Sequence, residues 1–142
     1  MSLFDGFLAL PIHPAFVHFP VAMLTTAWAI TLIGHLTGST RGAQFAVGAE
    51  ALGVAFLPIV LVTGFRDANG LSLLADIQWD RPLIWHAIIA LVAAVLFTAH
   101  AAWRYRTGER RTARPGLDVG LSTAGFGALL LTGLIAGEMV YG

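Results

Sequence analysis

The stretch Arg81-Pro-Leu-Ile-Trp-His86-Ala-Ile-Ile-Ala90-Leu-Val-Ala93-Ala-Val-Leu-Phe-Thr-Ala-His100 is apolar between its charged first residue and its last histidine. A helix of about 20 apolar residues crosses the hydrocarbon core of a bilayer, so this stretch predicts a membrane-spanning helix. His86 and His100 are fourteen residues apart, and steps of about 100° return them to nearly the same helix face. Ala90 and Ala93 lie between them on that face and leave room for a flat ligand or a neighbouring helix. Since ionisable residues are rare inside membrane spans, both histidines are candidate functional residues.

The composition indicates that lipid is the solvent of this protein. Of its 142 residues, 57% are hydrophobic and 11% are charged, whereas soluble domains have roughly 45–50% and about 25%. The formal net charge is zero, and no basic patch with interleaved aromatic residues indicates nucleic acid as a partner. The chain has no cysteine, which excludes disulfides, thiolate metal sites, iron–sulfur clusters and covalently attached haem.

Hydropathy predicts an all-α integral membrane protein of one domain, residues 1–142. Four segments are long enough to span a bilayer, at about 14–36, 43–64, 82–103 and 117–141. The short connections between them predict an antiparallel four-helix bundle with an up-down-up-down order.

Arginine placement predicts the orientation of the bundle in a bacterial inner membrane. One side carries Arg41 and the run Arg104, Arg106, Arg110, Arg111 and Arg114. The other side carries only Arg66 and Arg81, with nearby aspartates. By the positive-inside rule the arginine-rich side is cytoplasmic, and both termini are periplasmic. Trp79 and Trp85 would then mark the outer interface, and the arginine run would also attract anionic lipid headgroups.

The five histidines fall into two layers. His13, His18 and His86 lie toward the outer end of the predicted bundle, and His35 and His100 toward the inner end. His18 and His86 have similar depths on helices that lie diagonally across the core, an arrangement that can hold a b-type haem through two axial imidazoles. The sequence therefore predicts one haem b with its iron bound by His18 and His86. A second haem, bound by His35 and His100, is less well supported because His18 and His35 do not share a helix face.

Two other interpretations of the histidines stay open. The side chains could cap helix ends or bond to backbone carbonyls freed by proline residues. Alternatively, His13, His18 and His86 could bind a metal ion together with a carboxylate from Glu138, Asp67 or Asp80.

Two glutamates also lie within apolar segments. Glu50 must pair, protonate or line water, and His100 or His35 lies at a compatible depth, so a proton relay or a hydrogen bond between helices is predicted. Glu138 lies near the outer end, where Arg66, Arg81 or His86 could form a structural ion pair with it.

The stretch His13-Pro-Ala-Phe-Val-His18-Phe-Pro20 resembles the opening motif His-Pro-x-x-Val-His-Phe-Pro of a bacterial membrane-protein family catalogued as domain-of-unknown-function family 2231. Further matches are Thr63-Gly-Phe-Arg66-Asp67, His86 and Gly137-Glu138-Met-Val-Tyr141-Gly142, so the resemblance covers essentially the whole chain. It implies a four-helix inner-membrane protein, with some relatives linked to cytochrome-type electron transfer. The motif histidines are His13, His18 and His86, and the resemblance does not extend to His35 or His100.

These observations favour a b-type haem electron-transfer protein or subunit over a stand-alone enzyme. It would pass electrons between a quinone pool or other partner and a periplasmic redox protein. One alternative is a transporter or channel subunit that uses Glu50 and His100 as a polar path and oligomerises to enclose it. Another is a non-catalytic scaffold subunit of a larger membrane complex, which Gly133 and Gly137 would support by allowing close helix packing.

Overall fold

The computed structural model describes residues 11–68, 80–108 and 115–141, which form four α-helices and no strand. Helix α1 is His13–Thr37, α2 is Thr40–Ala68, α3 is Arg81–Thr107 and α4 is Pro115–Tyr141. By length and composition, all four could cross a membrane. The prediction of an all-α protein with four long apolar helices is confirmed. Several residues of the orientation and motif arguments lie outside the described residues, namely Trp79, Arg110, Arg111, Arg114 and Gly142.

Helix α3 is longer than its apolar run predicts. The sequence places its end near Trp103 and assigns Arg104 and Arg106 to the following loop. In the structure the helix continues to Thr107. The assignment of Arg104 to the loop is therefore wrong. The added turn carries this side chain on a helix face instead of in a flexible connection.

Large apolar side chains cover the outside of the bundle, and small ones fill much of its inside. Leu36 and Leu134 are 76% and 70% exposed, whereas the buried apolar residues include Ala27, Ala46 and Ala93. In water this distribution would be unfavourable, because leucine side chains gain from leaving the solvent. In lipid it costs little, and small interior residues let the helix backbones approach closely.

The connection between α1 and α2 is made by a short local motif. Gly38 has φ +68°, a left-handed conformation in which glycine has no steric cost. The N–H of Gly38 and that of Ser39 both donate to the carbonyl of Gly34. The hydroxyl of Ser39 then accepts from the N–H of Gly42 at 3.2 Å and caps α2. The chain therefore reverses direction within a few residues.

Helices α3 and α1 are capped at their N-termini by different means. Asp80 caps α3 locally, since its carboxylate accepts from the N–H of Leu83 at 2.9 Å. The residue before α1 is Ile12, whose side chain cannot accept a hydrogen bond. There the N–H of His13 donates to the carboxylate of Asp67, on the last turn of α2, at 2.7 Å. We call the end of the bundle where α1 begins and α2 ends the His13 end, and the opposite end the Arg104 end.

Helix α1 packs mainly against α2, and α3 mainly against α4, with narrower contacts between α1 and α4 and between α2 and α3. A large side chain meets a glycine in each main pair. A Cβ atom at Gly53 would lie 2.7 Å from Cγ of Leu24, and one at Gly125 would lie 3.1 Å from Cε2 of Phe97. We call these four residues the Leu24–Phe97 layer.

We expect Gly53→Ala to destabilise the bundle. The added methyl group would collide with Leu24 and push α1 and α2 apart, and such overpacking costs about 1–3 kcal/mol. The matched control is Gly48→Ala on the same helix, where a Cβ atom has no neighbour within 4 Å. The measurement is the unfolding midpoint of the detergent-solubilised protein as SDS is added. Equal midpoints for the two variants would contradict the close approach at Gly53.

Candidate functional site

Four ionisable side chains from three helices meet inside the bundle near its Arg104 end. They are Glu50 of α2, His100 and Arg104 of α3, and Asp118 of α4; we call them the ion network. The side chains of Glu50, His100 and Arg104 are 2%, 0% and 3% exposed, whereas that of Asp118 is 19% exposed. Charged groups with so little access to water must be paired with one another.

His100 lies between two carboxylates. Its Nδ1 is 2.7 Å from Oε1 of Glu50, and its Nε2 is 3.0 Å from Oδ1 of Asp118. Each contact needs one hydrogen atom between nitrogen and oxygen. An imidazolium supplies both, and a neutral imidazole supplies one while a protonated carboxyl group supplies the other. Both descriptions contain the same number of protons. The two contacts together therefore require one proton more than a neutral imidazole and two ionised carboxylates would carry.

Arg104 connects α3 to each of the other three helices. Its Nη1 donates to Oε2 of Glu50 at 2.9 Å. Its Nε and Nη2 donate to Oδ1 and Oδ2 of Asp118 at 2.7 and 3.2 Å. Nη2 also donates to the hydroxyl of Thr31 on α1 at 2.7 Å. That hydroxyl in turn donates to the carbonyl of Ala27 at 2.6 Å. The oxygen of the Thr31 hydroxyl therefore accepts the hydrogen bond from Arg104. The planar guanidinium suits this role, because its five donors have fixed directions.

The charges of the ion network cancel when the shared proton is present. Two carboxylates then balance one guanidinium and one imidazolium. If the proton leaves, the network carries a net charge of −1, and one of the two contacts of His100 has no hydrogen atom. Both changes are costly where water is excluded. The arrangement can therefore hold one proton and loses contacts between helices when it releases that proton.

The spacing of residues along each helix explains how the network forms. His100 and Arg104 are four residues apart on α3, so they lie on one face, and Phe97 and Ala93 are buried on the same face. Glu50 follows buried Ala49 on α2. Asp118 lies in the first turn of α4, where the helix dipole favours a negative charge.

Sequence reasoning found half of this network. It singled out Glu50 and named His100 as a possible partner, and the structure brings these two side chains together. It missed Arg104, which it treated as a topology signal, and it did not consider Thr31 or Asp118. The four-residue spacing of His100 and Arg104 is the signal that could have revealed the arginine.

The three motif histidines lie at the His13 end, and each directs Nδ1 at a backbone carbonyl. His13 Nδ1 is 3.1 Å from the carbonyl of Val60, and His86 Nδ1 is 3.2 Å from that of Thr132 on α4. His18 Nδ1 contacts the carbonyl of Pro14 in its own helix. Because a carbonyl only accepts, each Nδ1 carries hydrogen, and each Nε2 is left as the available ligand atom in a neutral ring.

The orientation of α1 and α3 determines which way His18 and His86 face. His86 is half-buried and lies on the α3 face that carries buried Ala93 and half-buried Ala90. His18 is exposed, and nine residues at about 100° each place it on the opposite side of α1 from buried Ala27. The two rings therefore do not face each other across the core, so in this arrangement they do not fit a haem iron between them. Haem ligation by this pair stays a prediction.

The other candidate residues are separated from the ion network. His35 is exposed, as is Glu138, and Glu138 forms no ion pair within the described ranges. Arg66 pairs with Asp67 at 3.0 Å. Across residues 11–68, 80–108 and 115–141, no group of three or more His, Asp or Glu side chains is arranged to hold a metal ion. The metal site predicted for His13, His18 and His86 stays a prediction.

The fold and the site define a class of protein, a four-helix membrane protein with a paired charge cluster in its interior. Residues 9–142 match the family model described as predicted membrane protein (DUF2231). The chain belongs to this family, as its motifs predict. Searches of curated proteins and of solved structures found no match to the chain.

We expect Arg104→Met to be strongly destabilising. It would leave buried Glu50 and partly exposed Asp118 without the guanidinium that pairs with both, and removing one partner of a buried ion pair costs about 3–5 kcal/mol. Arg106→Met is the control, because Arg106 lies in the same last turn of α3 but is exposed. SDS-induced unfolding of both variants measures the difference. Similar unfolding free energies would mean that the contacts of Arg104 do not hold the bundle together.

Proposed function

We propose that this membrane protein is a proton-coupled transporter or transporter subunit in which the ion network takes up and releases one proton. The observation that carries the proposal is the position of His100, with each ring nitrogen on a different carboxylate. Ionisable groups inside membrane spans commonly form proton relays or substrate sites.

The proton that is taken up and released has a defined place in the ion network. In the loaded state the imidazolium of His100 donates to Glu50 and to Asp118. When a proton passes to water, one N–H or O–H bond breaks, and one of these two contacts loses its hydrogen atom. Each contact joins a different pair of helices, α2 with α3 or α3 with α4. Protonation is therefore coupled to helix packing, which is the element a transporter needs to link an ion to a change of shape.

A purely structural role predicts something different. Two acidic groups and one arginine would already tie α2, α3 and α4 together, and a structural cluster keeps one protonation state. The histidine between the carboxylates is the group that such a cluster does not require. A protonation that changes with pH therefore separates transport from the scaffold role.

Four helices enclose the network but leave much apolar surface exposed, including Val95 at 58% and Leu134 at 70%. Lipid covers such faces, and so can another copy of the chain or a partner subunit. We propose that the solute path is completed in a homo-oligomer or in a larger membrane complex. With the predicted orientation, the network lies toward the cytoplasmic side of a bacterial inner membrane.

We expect the reconstituted protein to take up one proton per chain more than Glu50→Gln does when both are titrated from about pH 10 to about pH 4, the span between the ordinary pKa values of tyrosine and glutamate. Infrared difference spectra should show the carboxyl and imidazole bands of the network changing together. Glu50→Gln should remove this transition, because Asp118 then balances Arg104 and His100 stays neutral.

The matched control for this titration is Glu138→Gln, the same substitution at an exposed carboxyl group. It should keep the transition of the network. Equal proton uptake by Glu50→Gln and wild-type protein over this range would refute the proposal.

Haem-linked electron transfer is a second candidate function, favoured by the Nε2 atoms that His18 and His86 leave available. Ligating histidines usually donate their other N–H group to a carbonyl or carboxylate. Haem b would supply the redox chemistry, exchanging electrons with a quinone or a periplasmic redox protein. Ligation by both residues would require α1 to turn so that His18 faces the core.

We expect protein produced in haem-supplied cells to show a b-type band in reduced-minus-oxidised visible spectra if this second function holds. His86→Ala should abolish the band, and His35→Ala should keep it, because His35 is exposed at the other end of the bundle. A colourless wild-type protein, or full haem content in His86→Ala, would rule out ligation by His86.

A further inference from the structure

We infer that the ion network exchanges its proton with water only at the Arg104 end, with Asp118 as the entry residue and with Leu24 and Phe97 as the barrier toward the His13 end. The inference rests on the proposed function and names its access route. The groups that face His100 are Glu50 on α2, Arg104 on α3 and Asp118 on α4; α1 contributes only the hydroxyl of Thr31, through Arg104.

Asp118 is the member of the network that water reaches. Its side chain is 19% exposed, whereas those of Glu50 and His100 are 2% and 0% exposed. It also lies in the first turn of α4, at the Arg104 end of the bundle. A proton that arrives from solvent therefore meets its carboxylate before the other groups.

The contacts define a balanced path inward. A hydronium ion gives its proton to the Asp118 carboxylate, and an O–H bond forms there. That proton passes to Nε2 of a neutral His100, and the hydrogen on Nδ1 passes to Oε1 of Glu50. The ring is then neutral again with its hydrogen on Nε2, and Glu50 is protonated. The two transfers run along contacts of 3.0 and 2.7 Å, which are ordinary hydrogen-bond lengths.

The Leu24–Phe97 layer closes the path on the other side. Leu24 and Phe97 are each 1% exposed, and they pack against the glycines of the facing helices. Phe97 precedes His100 by three residues, and Gly53 follows Glu50 by three. At 1.5 Å per residue, the layer therefore begins about 4–5 Å beyond the network. All four helices contribute one residue to it, and both of its large side chains are buried.

Few buried polar side chains lie beyond this layer. Within the described residues, the buried polar side chains are Thr31, Glu50, Thr63, His100, Arg104 and Ser122. Of these, Thr63 alone lies on the far side, ten residues beyond Gly53, which is about 15 Å along α2. Half-buried His86 and Thr132 also lie on that side, so within the described residues the barrier to a proton is the Leu24–Phe97 layer itself.

The first test is proton leak through sealed proteoliposomes under a pH gradient. Phe97→Ala removes one of the two large side chains that form the barrier. It is expected to raise the leak about tenfold or more, the change produced by a modest lowering of an activation free energy. Leu91→Ala, at a 53% exposed position of the same helix, should leave the leak at the wild-type rate. Phe97→Leu keeps an apolar side chain at the site and should also remain tight. A tight Phe97→Ala variant that is folded would overturn the barrier assignment.

Thiol labelling tests the direction of access without weakening the barrier. The chain has no cysteine, so Ser122→Cys and Thr132→Cys each introduce a single thiol on α4, one on each side of Gly125. In vesicles of known orientation, a membrane-impermeant thiol reagent should reach Ser122→Cys only from the Arg104 end. It should not reach Thr132→Cys from that end. Labelling of Ser122→Cys from the His13 end would overturn the inference.

The rate of proton uptake separates this inference from the proposed function. Asp118→Asn should abolish this uptake, because Glu50 then balances Arg104 and His100 stays neutral, and Asp118→Glu, which keeps a carboxyl group at the entry position, should restore it. If wild-type protein takes up no more protons than Glu50→Gln, the proposed function and the inference both fail. If wild-type protein takes up a proton and Asp118→Asn does so at an unchanged rate, only the entry role of Asp118 fails.

Discussion

The guanidinium of Arg104 is the group on which the rest of the bundle depends. A permanent cation inside a lipid-embedded bundle is tolerated only if acidic groups and fixed acceptors surround it. Arg104 meets this requirement with one acceptor or carboxylate from each of the other three helices. The register of α1, α2 and α4 along α3 follows from that requirement, because a shift of one turn, about 5.4 Å, would break every one of these contacts.

Close packing of small residues complements this polar layer. Lipid tails are as apolar as leucine, so helices in a membrane do not associate to escape water, and fit between surfaces matters more. The glycines of the Leu24–Phe97 layer let two large side chains fill the interior. The ion network and the apolar Leu24–Phe97 layer therefore lie side by side. The apolar layer keeps water from the inner face of the network, which strengthens its ion pairs.

The two ends of the bundle use histidine in different ways. At the His13 end, the motif histidines donate to backbone carbonyls, and a cross-helix carboxylate caps α1. The contacts of His13 and His86 tie neighbouring helices together, and the carbonyl contacts of all three histidines leave Nε2 as the available ligand atom. At the Arg104 end, His100 has carboxylates on both nitrogens, and its contacts depend on a proton. The first arrangement suits positioning, and the second suits proton exchange.

The sequence by itself determined the number of helices, their approximate positions and the membrane as solvent, because hydropathy is a local property of the chain. It also showed that Glu50 needed a partner and that His100 lay at a suitable depth. Only the tertiary structure decided that Arg104 and Asp118 complete the cluster, since α3 continues one turn past its apolar run and the first turn of α4 reaches the same depth. It also decided that His18 and His86 lie on faces that do not meet. Depth along a helix follows from counting residues, but rotation about its axis depends on packing against every neighbour at once.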